Sequence, residues 1–178
     1  MTGAVALTLL STMTMAEGKG LYVGGGIVYE KFDELEDAGQ ALELHVGKEI
    51  ANNFGAELRI SKTFNEAKES GSVLWANGYF PSTQKVDMTT MGAFGTYTYS
   101  PIPQLSIVPK LGFNYISTKS TLTADVGSAT VNKDETGTRF AYSLDVKYNI
   151  NSKLTTYIGF SHIASDIQHI SFGLESHF

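Results

Sequence analysis

Cysteine is absent from the 178 residues of this sequence, and its absence excludes disulfide bonds, thiolate catalysis and cysteine-ligated metal sites. Basic residues never cluster: no two of the 13 lysines and arginines are adjacent, and 18 acidic residues leave a net charge of −5. This balance argues against a nucleic-acid partner. Beyond the N-terminus there is also no apolar run of about 18 residues, so the sequence predicts no transmembrane helix.

Glycine and aromatic residues are plentiful by contrast. The chain has 18 glycines, 9 tyrosines and 10 phenylalanines. Hydrophobic residues reach 42% and charged residues only 17%, which is too apolar for a disordered chain. Abundant aromatic and threonine residues favour β-strands. The composition therefore predicts one folded β domain.

Residues 3–16 form a short apolar stretch that ends in small residues. Thr14 and Ala16 suit the positions before a signal-peptidase site, and the stretch is too short to span a bilayer. We therefore expect residues 1–16 to be a signal peptide and residues 17–178 to form the exported barrel domain. A buried N-terminal strand is the alternative, because no lysine or arginine precedes the apolar stretch.

From residue 20 onward, apolar residues recur at every second position, which is the period of a half-buried strand. In the clearest segment, 139–150, six apolar side chains share one face, while Ser143, Asp145 and Lys147 share the other. Tight turns alternate with longer polar loops. The pattern predicts an all-β, eight-stranded antiparallel up-and-down barrel. The predicted strands are 21–31, 42–50, 54–64, 86–99, 105–115, 139–150, 154–163 and 169–178, and the predicted loops are 33–39, 65–85, 119–138 and 164–168.

Two kinds of eight-stranded barrel fit this alternation. A lipocalin-like soluble barrel encloses its apolar face around a ligand, whereas a transmembrane barrel turns that face to lipid. Rings at the ends of the apolar faces, and charges of both signs on the opposite faces, favour the transmembrane barrel. We expect the charges to fill the lumen with at least one salt bridge between strands. The predicted lumen residues are Glu43, Glu57, Arg59, Lys110, Asp145 and Lys147, with Glu30, Glu49 and Glu175 on the same faces.

The last segment alternates apolar residues and ends in phenylalanine, and it resembles the C-terminal strand of bacterial outer-membrane proteins. The residues that carry this resemblance are Ile170, Phe172, Leu174, Ser176 and Phe178. The opening at residues 21–26, Leu-Tyr-Val-Gly-Gly-Gly, is similar to the first strand of small eight-stranded barrels: the opacity-type surface proteins, outer membrane protein X and the barrel of outer membrane protein A. The resemblance implies a Gram-negative outer-membrane location and contact with lipids and lipopolysaccharide. It also implies that the barrel-assembly machinery reads Phe172, Leu174 and Phe178.

Some outer-membrane barrels hydrolyse lipid A with a Ser-His-Glu relay, and this sequence resembles them only in part. His162, Ser165 and Glu175 are the ingredients of such a relay. The alternation, however, places His162 with the lipid-facing side chains and Glu175 with the lumen-facing ones. We therefore expect no enzyme, and a lipid A-modifying acyl hydrolase is the alternative. The other histidines show no metal-ligand spacing, so neither a metal nor another cofactor is predicted.

Residues 65–85 form the longest predicted loop with large rings, among them the only tryptophan. Trp75, Tyr79 and Phe80 are candidates for a binding surface, because tryptophan and tyrosine anchor many interfaces. Packing against the barrel rim, or extension of the hairpin above the membrane, is the alternative. The sequence thus predicts a monomeric, non-enzymatic surface protein with a structural or adhesion role. Its expected partner is a host or matrix ligand, and its lumen is at most a narrow porin-like path.

Overall fold

The computed structural model describes residues 20–32, 37–75, 78–124, 130–163 and 167–178. The predicted signal peptide, 1–16, and Ser165 lie outside these ranges. None of the described residues belongs to a helix long and apolar enough to cross a membrane. They form ten strands: β1 (Leu21–Phe32), β2 (Gly39–Ala51), β3 (Phe54–Asn65), β4 (Ala67–Trp75), β5 (Gly78–Tyr97), β6 (Tyr99–Ile102), β7 (Leu105–Ala124), β8 (Thr130–Asn149), β9 (Leu154–Ile163) and β10 (Ile167–His177).

These ten strands build the eight walls of a closed barrel. β3 and β4 pair with the same edge of β5 and are two segments of one wall, while β6 continues β5 along β7. All pairings are antiparallel. The pairing of β1 with β10, from Tyr22 opposite His177 to Phe32 opposite Ile167, closes the ring. The predicted eight-stranded antiparallel barrel is confirmed.

Side chains alternate between the outer and inner faces of the wall. In β8, Ala141, Ser143 and Asp145 are buried, whereas the intervening Tyr142 and Leu144 are exposed. The exposed large hydrophobic side chains form an apolar belt around the outside of the barrel. This arrangement excludes a soluble barrel that encloses its apolar face. The aromatic residues predicted on the outer face, each 46–60% exposed, are Phe54, Phe64, Tyr115, Tyr142, Tyr148 and Phe178.

Tight turns connect the walls at one end of the barrel. Asn52 and Asn53 join β2 to β3 with φ values of 51° and 70°, the left-handed conformation that asparagine tolerates in two-residue hairpin turns. Near this turn the pairing of β2 with β3 shifts register between Glu49 and Ala51. Glu49, close to this turn, is exposed at the rim of the barrel, and its expected place in the lumen was wrong.

The two longest predicted loops, 65–85 and 119–138, are mostly strand. β4 pairs with β5, and β7 with β8, almost to the hairpin tips, and β5 also pairs with β7. Residues 117–123 and 130–138 are mainly polar at both odd and even positions, so hydrophobic alternation does not indicate these strands. The result is one four-stranded sheet that continues past the apolar belt. We call it the extended sheet: residues 67–75, 78–88, 117–124 and 130–138.

Candidate functional site

The barrel lumen holds a compact set of buried ionisable side chains. It contains all six predicted lumen residues, together with one histidine and one further glutamate. Each is at most 7% exposed and occupies an inward-facing strand position. We call this set the lumen network: Glu43 and His45 of β2, Glu57 and Arg59 of β3, Lys110 of β7, Asp145 and Lys147 of β8, and Glu175 of β10.

Arg59 reaches three carboxylates of the network. Its Nη2 atom lies 2.9 Å from Glu57 Oε1 and 3.4 Å from Asp145 Oδ2, and its Nη1 atom lies 3.4 Å from Glu43 Oε2. The guanidinium carbon also lies 5.6 Å from the centre of the Phe94 ring. Because β3 and β8 are not neighbours in the sheet, the contact with Asp145 crosses the lumen.

Lys110 shares two of these carboxylates with the arginine. Its Nζ atom lies 2.6 Å from Glu57 Oε2 and 2.5 Å from Asp145 Oδ2. The hydroxyl of Ser143 donates a further hydrogen bond of 3.1 Å to Asp145 Oδ1. Buried charges are tolerated when they are paired and hydrogen-bonded in this way.

Lys147, Glu175, His45 and Glu43 continue the network around the lumen. Lys147 Nζ lies 2.7 Å from Glu175 Oε1, and His45 Nε2 lies 3.0 Å from the same oxygen. On the other side of the ring, His45 Nδ1 lies 3.4 Å from Glu43 Oε1. Contacts between oppositely charged side chains therefore connect β2, β3, β7, β8 and β10 across the lumen.

The lumen also contains two tyrosines that the sequence analysis did not predict there. The hydroxyl of Tyr22 donates to Glu57 Oε2 at 2.8 Å, and that of Tyr157 donates to Glu43 Oε1 at 3.1 Å. Both rings are buried. The signal that could have found them is parity, because Tyr22 lies an even number of residues from Glu30 on β1.

Toward the extended sheet, an apolar layer fills the lumen. Met88, Ile116, Ile163 and Ile167 are buried there and pack together, with Phe32 half-buried against them. An eight-stranded barrel has room for little more than its own inward side chains. Within the described residues, the lumen is thus occupied by charged groups at one level and apolar groups at another, which favours a structural lumen over a wide channel.

Between these two levels, Glu30 and His169 face each other. Glu30 Oε1 lies 3.8 Å from His169 Nε2, and the hydroxyl of Thr63 donates to Glu30 Oε2 at 2.6 Å. Across the described ranges, no three histidine, aspartate or glutamate side chains come together as a metal site. Neither Glu30 Oε1 nor His169 Nε2 has a hydrogen-bond partner among the described residues, so the hydroxyl of Thr63 provides the side-chain hydrogen bond of Glu30.

The residues of the alternative hydrolase lie on opposite faces of the wall. His162 is on the outer face, where its ring stacks on Tyr142 with centroids 5.1 Å apart. Glu175 is fully buried in the lumen. A proton relay requires these two groups within hydrogen-bond reach, and the barrel wall separates them.

The loop residues proposed for binding lie at the tip of the β4–β5 hairpin. The backbone of Trp75 pairs opposite Gly78, that of Leu74 opposite Tyr79, and that of Val73 opposite Phe80. The side chains of these residues lie outside the described part of the structure. The segment thus extends the hairpin, which was the alternative interpretation of this loop.

The last strand presents its apolar residues outward. Phe172, Leu174 and Phe178 are 45%, 50% and 56% exposed on the outer face. The amide of Phe178 donates to the carbonyl of Leu21 at 2.9 Å, so the end of the chain completes the pairing with β1.

A protein-family model for the outer membrane protein beta-barrel domain matches residues 2–177. The chain belongs to this family. Its apolar outer belt and charged lumen are the features that an outer-membrane barrel needs, and the predicted outer-membrane location is confirmed. A comparison with curated proteins gives no match.

Three solved structures illustrate the shared barrel. Ail, the attachment invasion locus protein of Yersinia pestis, in complex with the heparin analogue sucrose octasulfate, has a TM-score of 0.59 at 14% identity, over 90% of this chain and 100% of that chain. Neisserial surface protein A has a TM-score of 0.58 at 15% identity, over 91% and 100%. The N-terminal β-barrel domain of Pseudomonas aeruginosa OprF has a TM-score of 0.59 at 10% identity, over 91% and 100%. Identities this low show the fold alone.

Proposed function

We propose that this outer-membrane barrel is a non-enzymatic surface protein that attaches the cell to an external partner through the extended sheet. The observation that carries the proposal is the asymmetry of the barrel. Residues 117–124 continue β7 past the apolar belt by eight positions, or roughly 27 Å at about 3.4 Å per residue. β9, in contrast, ends at Ile163, three positions beyond the belt residue Phe160.

The extended sheet is built as a solvated surface. In β8 every residue from Thr130 to Thr138 is exposed except the half-buried Gly137. Threonines of three strands lie side by side, with Thr83 opposite Thr123 and Thr123 opposite Thr130. Residues 117–123 and 130–138 include no buried apolar side chain, and they therefore add little to the stability of the barrel. The length of the sheet is better explained by contact with something outside the cell.

The outer edge of β8 suggests how a partner binds. Among the described strands, none pairs with residues 130–140 on the side opposite β7, because β9 first meets β8 at Ala141. A row of free backbone donors and acceptors pairs readily with an extended peptide. An extended segment of a host or matrix protein is therefore the partner that fits this edge.

A sulfated glycan is the second candidate partner. Lys68 of β4 lies directly opposite Lys85 of β5, and like charges in that position are unfavourable unless an anion lies between them. The structural neighbour Ail was solved with a heparin analogue. Glu66, 3.8 Å from Lys85, already neutralises part of this charge, so we place the glycan second.

Other partners follow from the membrane setting. We expect the apolar belt to contact outer-membrane lipids and lipopolysaccharide, and the last strand to be read by the barrel-assembly machinery through Phe172, Leu174 and Phe178. The lumen network stabilises each barrel internally, so we also expect a monomer.

Trimming the extended sheet in register tests the attachment function. Replacing residues 69–84 and residues 121–132 each by Asn-Gly keeps Lys68 opposite Lys85 and Ser120 opposite Lys133, and supplies a favoured two-residue turn. We expect the trimmed barrel to accumulate in the outer membrane, while whole cells lose attachment to host cells or matrix. Added heparin should compete with wild-type attachment only if the partner is a sulfated glycan.

A finer variant tests the hairpin tip within this surface. Trp75→Ala with Tyr79→Ala should weaken attachment and leave the barrel stable. The matched control is Phe113→Ala with Phe140→Ala, which removes two contacting rings of the belt whose centroids are 5.8 Å apart. Trimmed cells that attach as well as wild-type cells would refute the attachment function.

A further inference from the structure

The acidic and basic side chains of the lumen network are unequal in number when its histidine is left out. Its four carboxylates face three basic side chains, one arginine and two lysines. One buried negative charge is left over, and an uncompensated buried charge is costly. Within the network, His45 is the remaining side chain able to carry a positive charge.

His45 lies between two carboxylates, with one at each nitrogen of its ring. Nε2 lies 3.0 Å from Glu175 Oε1, and Nδ1 lies 3.4 Å from Glu43 Oε1. The imidazole side chain has no solvent exposure. Gly24 leaves the space for it, because a Cβ atom at that position would overlap His45 Nε2.

Each of the two neighbouring carboxylates also has a basic side chain beside it. Arg59 Nη1 lies 3.4 Å from Glu43, and Lys147 Nζ lies 2.7 Å from Glu175. These cations hold both groups as anions. A neutral imidazole has one N–H and one lone pair, so either tautomer turns a lone pair toward an anion. The imidazolium instead hydrogen-bonds Glu175 through Nε2 and turns a second N–H, on Nδ1, toward the anion of Glu43 at 3.4 Å.

Two tyrosines and an arginine of other strands also lie around the ring. Tyr22 of β1 and Tyr157 of β9 present aromatic rings, with centroids 6.1 Å and 5.2 Å from that of His45. Arg59 lies opposite His45 on β3 but directs its guanidinium to the carboxylates, including Glu57.

Two further groups face the network from β8 and β10. Lys147 binds Glu175 directly, and His177 Nε2 lies 3.8 Å from Glu175 Oε2, but His177 is 37% exposed at the rim. His45 is therefore the histidine enclosed by anions.

We propose that His45 is the fourth cation of the lumen network, and that protonation of its ring stabilises the folded barrel. With the proton bound, four anions face four cations. Removing it takes a cation from between two carboxylates of the folded barrel, and removes no such contact from the unfolded chain. The contribution of this proton to stability is therefore complete at pH values below the ordinary titration range of histidine, and it is lost progressively as the solution becomes alkaline.

Thermal unfolding of the whole barrel in detergent tests this proposal, with the folded fraction measured by gel mobility. Wild-type protein should lose midpoint temperature between about pH 6 and about pH 9, across the range around which histidine titrates. His45→Gln should have a lower midpoint at the acidic pH and should lose most of the pH dependence. His162→Gln, on the outer face, should behave as wild type. An equal pH dependence in wild type and His45→Gln would overturn the proposal.

A measurement on the wild-type protein tests the protonation of His45 even if the His45→Gln variant does not fold. Nuclear magnetic resonance of isotope-labelled histidine distinguishes a ring with protons on both nitrogens from a ring with one. We expect the buried ring assigned to His45 to carry both protons at neutral pH. A neutral His45 ring at that pH would contradict the proposal. Neither experiment depends on attachment, so the proposed function and this inference fail separately.

Discussion

Replacing Arg59 with alanine removes the side chain that ties three walls of the barrel together. Its guanidinium lies within 3.4 Å of Glu43, Glu57 and Asp145. Lys110 still pairs with Glu57 and Asp145 at 2.6 Å and 2.5 Å, so the main loss falls on Glu43. Breaking a buried ion pair from one side costs about 3–5 kcal/mol, and the remaining lysine places the expected loss of unfolding free energy near the lower end, about 3 kcal/mol.

The assay is a denaturant titration of the purified barrel in detergent, with the folded fraction measured by gel mobility. Arg139→Ala is the matched control, because Arg139 is exposed at the rim, and we expect it to change the free energy of unfolding by about 0.5 kcal/mol or less. Adding Glu43→Gln to Arg59→Ala should recover part of the loss, since no unpaired anion then remains. An Arg59→Ala midpoint no lower than that of Arg139→Ala would refute the internal network.

Two further substitutions test assembly and the barrel wall. Phe178→Ala should reduce the amount of protein in outer-membrane fractions more than Phe140→Ala does. Both substitutions remove an outward ring, but only Phe178→Ala alters the end of the last strand. Equal amounts of the two variants would contradict the assembly signal. Gly112→Ala should destabilise the purified barrel by about 1–3 kcal/mol, since an added Cβ atom would overlap the backbone oxygen of Ala93. Gly95→Ala, whose new Cβ atom would meet no atom nearer than 3.8 Å, should unfold at nearly the wild-type denaturant concentration, and equal losses would argue against this packing.

Alternation predicted the barrel wherever one face of a strand is lipid-facing and the other is polar. β8 is the clearest case, because Tyr142 and Tyr148 lie outside while Asp145 and Lys147 lie inside. The same logic predicted which charged residues share the lumen. It did not predict their partners, because Arg59 meets Asp145 across the lumen, and that contact depends on the curvature and closure of the whole sheet.

Alternation failed where both faces have the same character. Residues 117–123 and 130–138 of the extended sheet are mainly polar on both faces, so the sequence predicts loops at residues such as Thr121 and Asn132 although their backbones pair. In β5, apolar residues lie on both faces: Met88 is buried in the lumen while Met91 faces outward. The apolar layer of the lumen therefore had no signal in the period of the sequence. Threonine-rich strand propensity was the available clue to the extended sheet.

Gel mobility of the protein from the outer-membrane fraction tests the central claim most directly. A closed barrel with an apolar belt and a paired lumen network should resist detergent at room temperature and unfold only on boiling. The account predicts that the unboiled protein migrates as a distinct, faster band and that boiling shifts it to its full apparent mass. A single band that boiling does not move, or recovery of the protein in the soluble fraction, would contradict it.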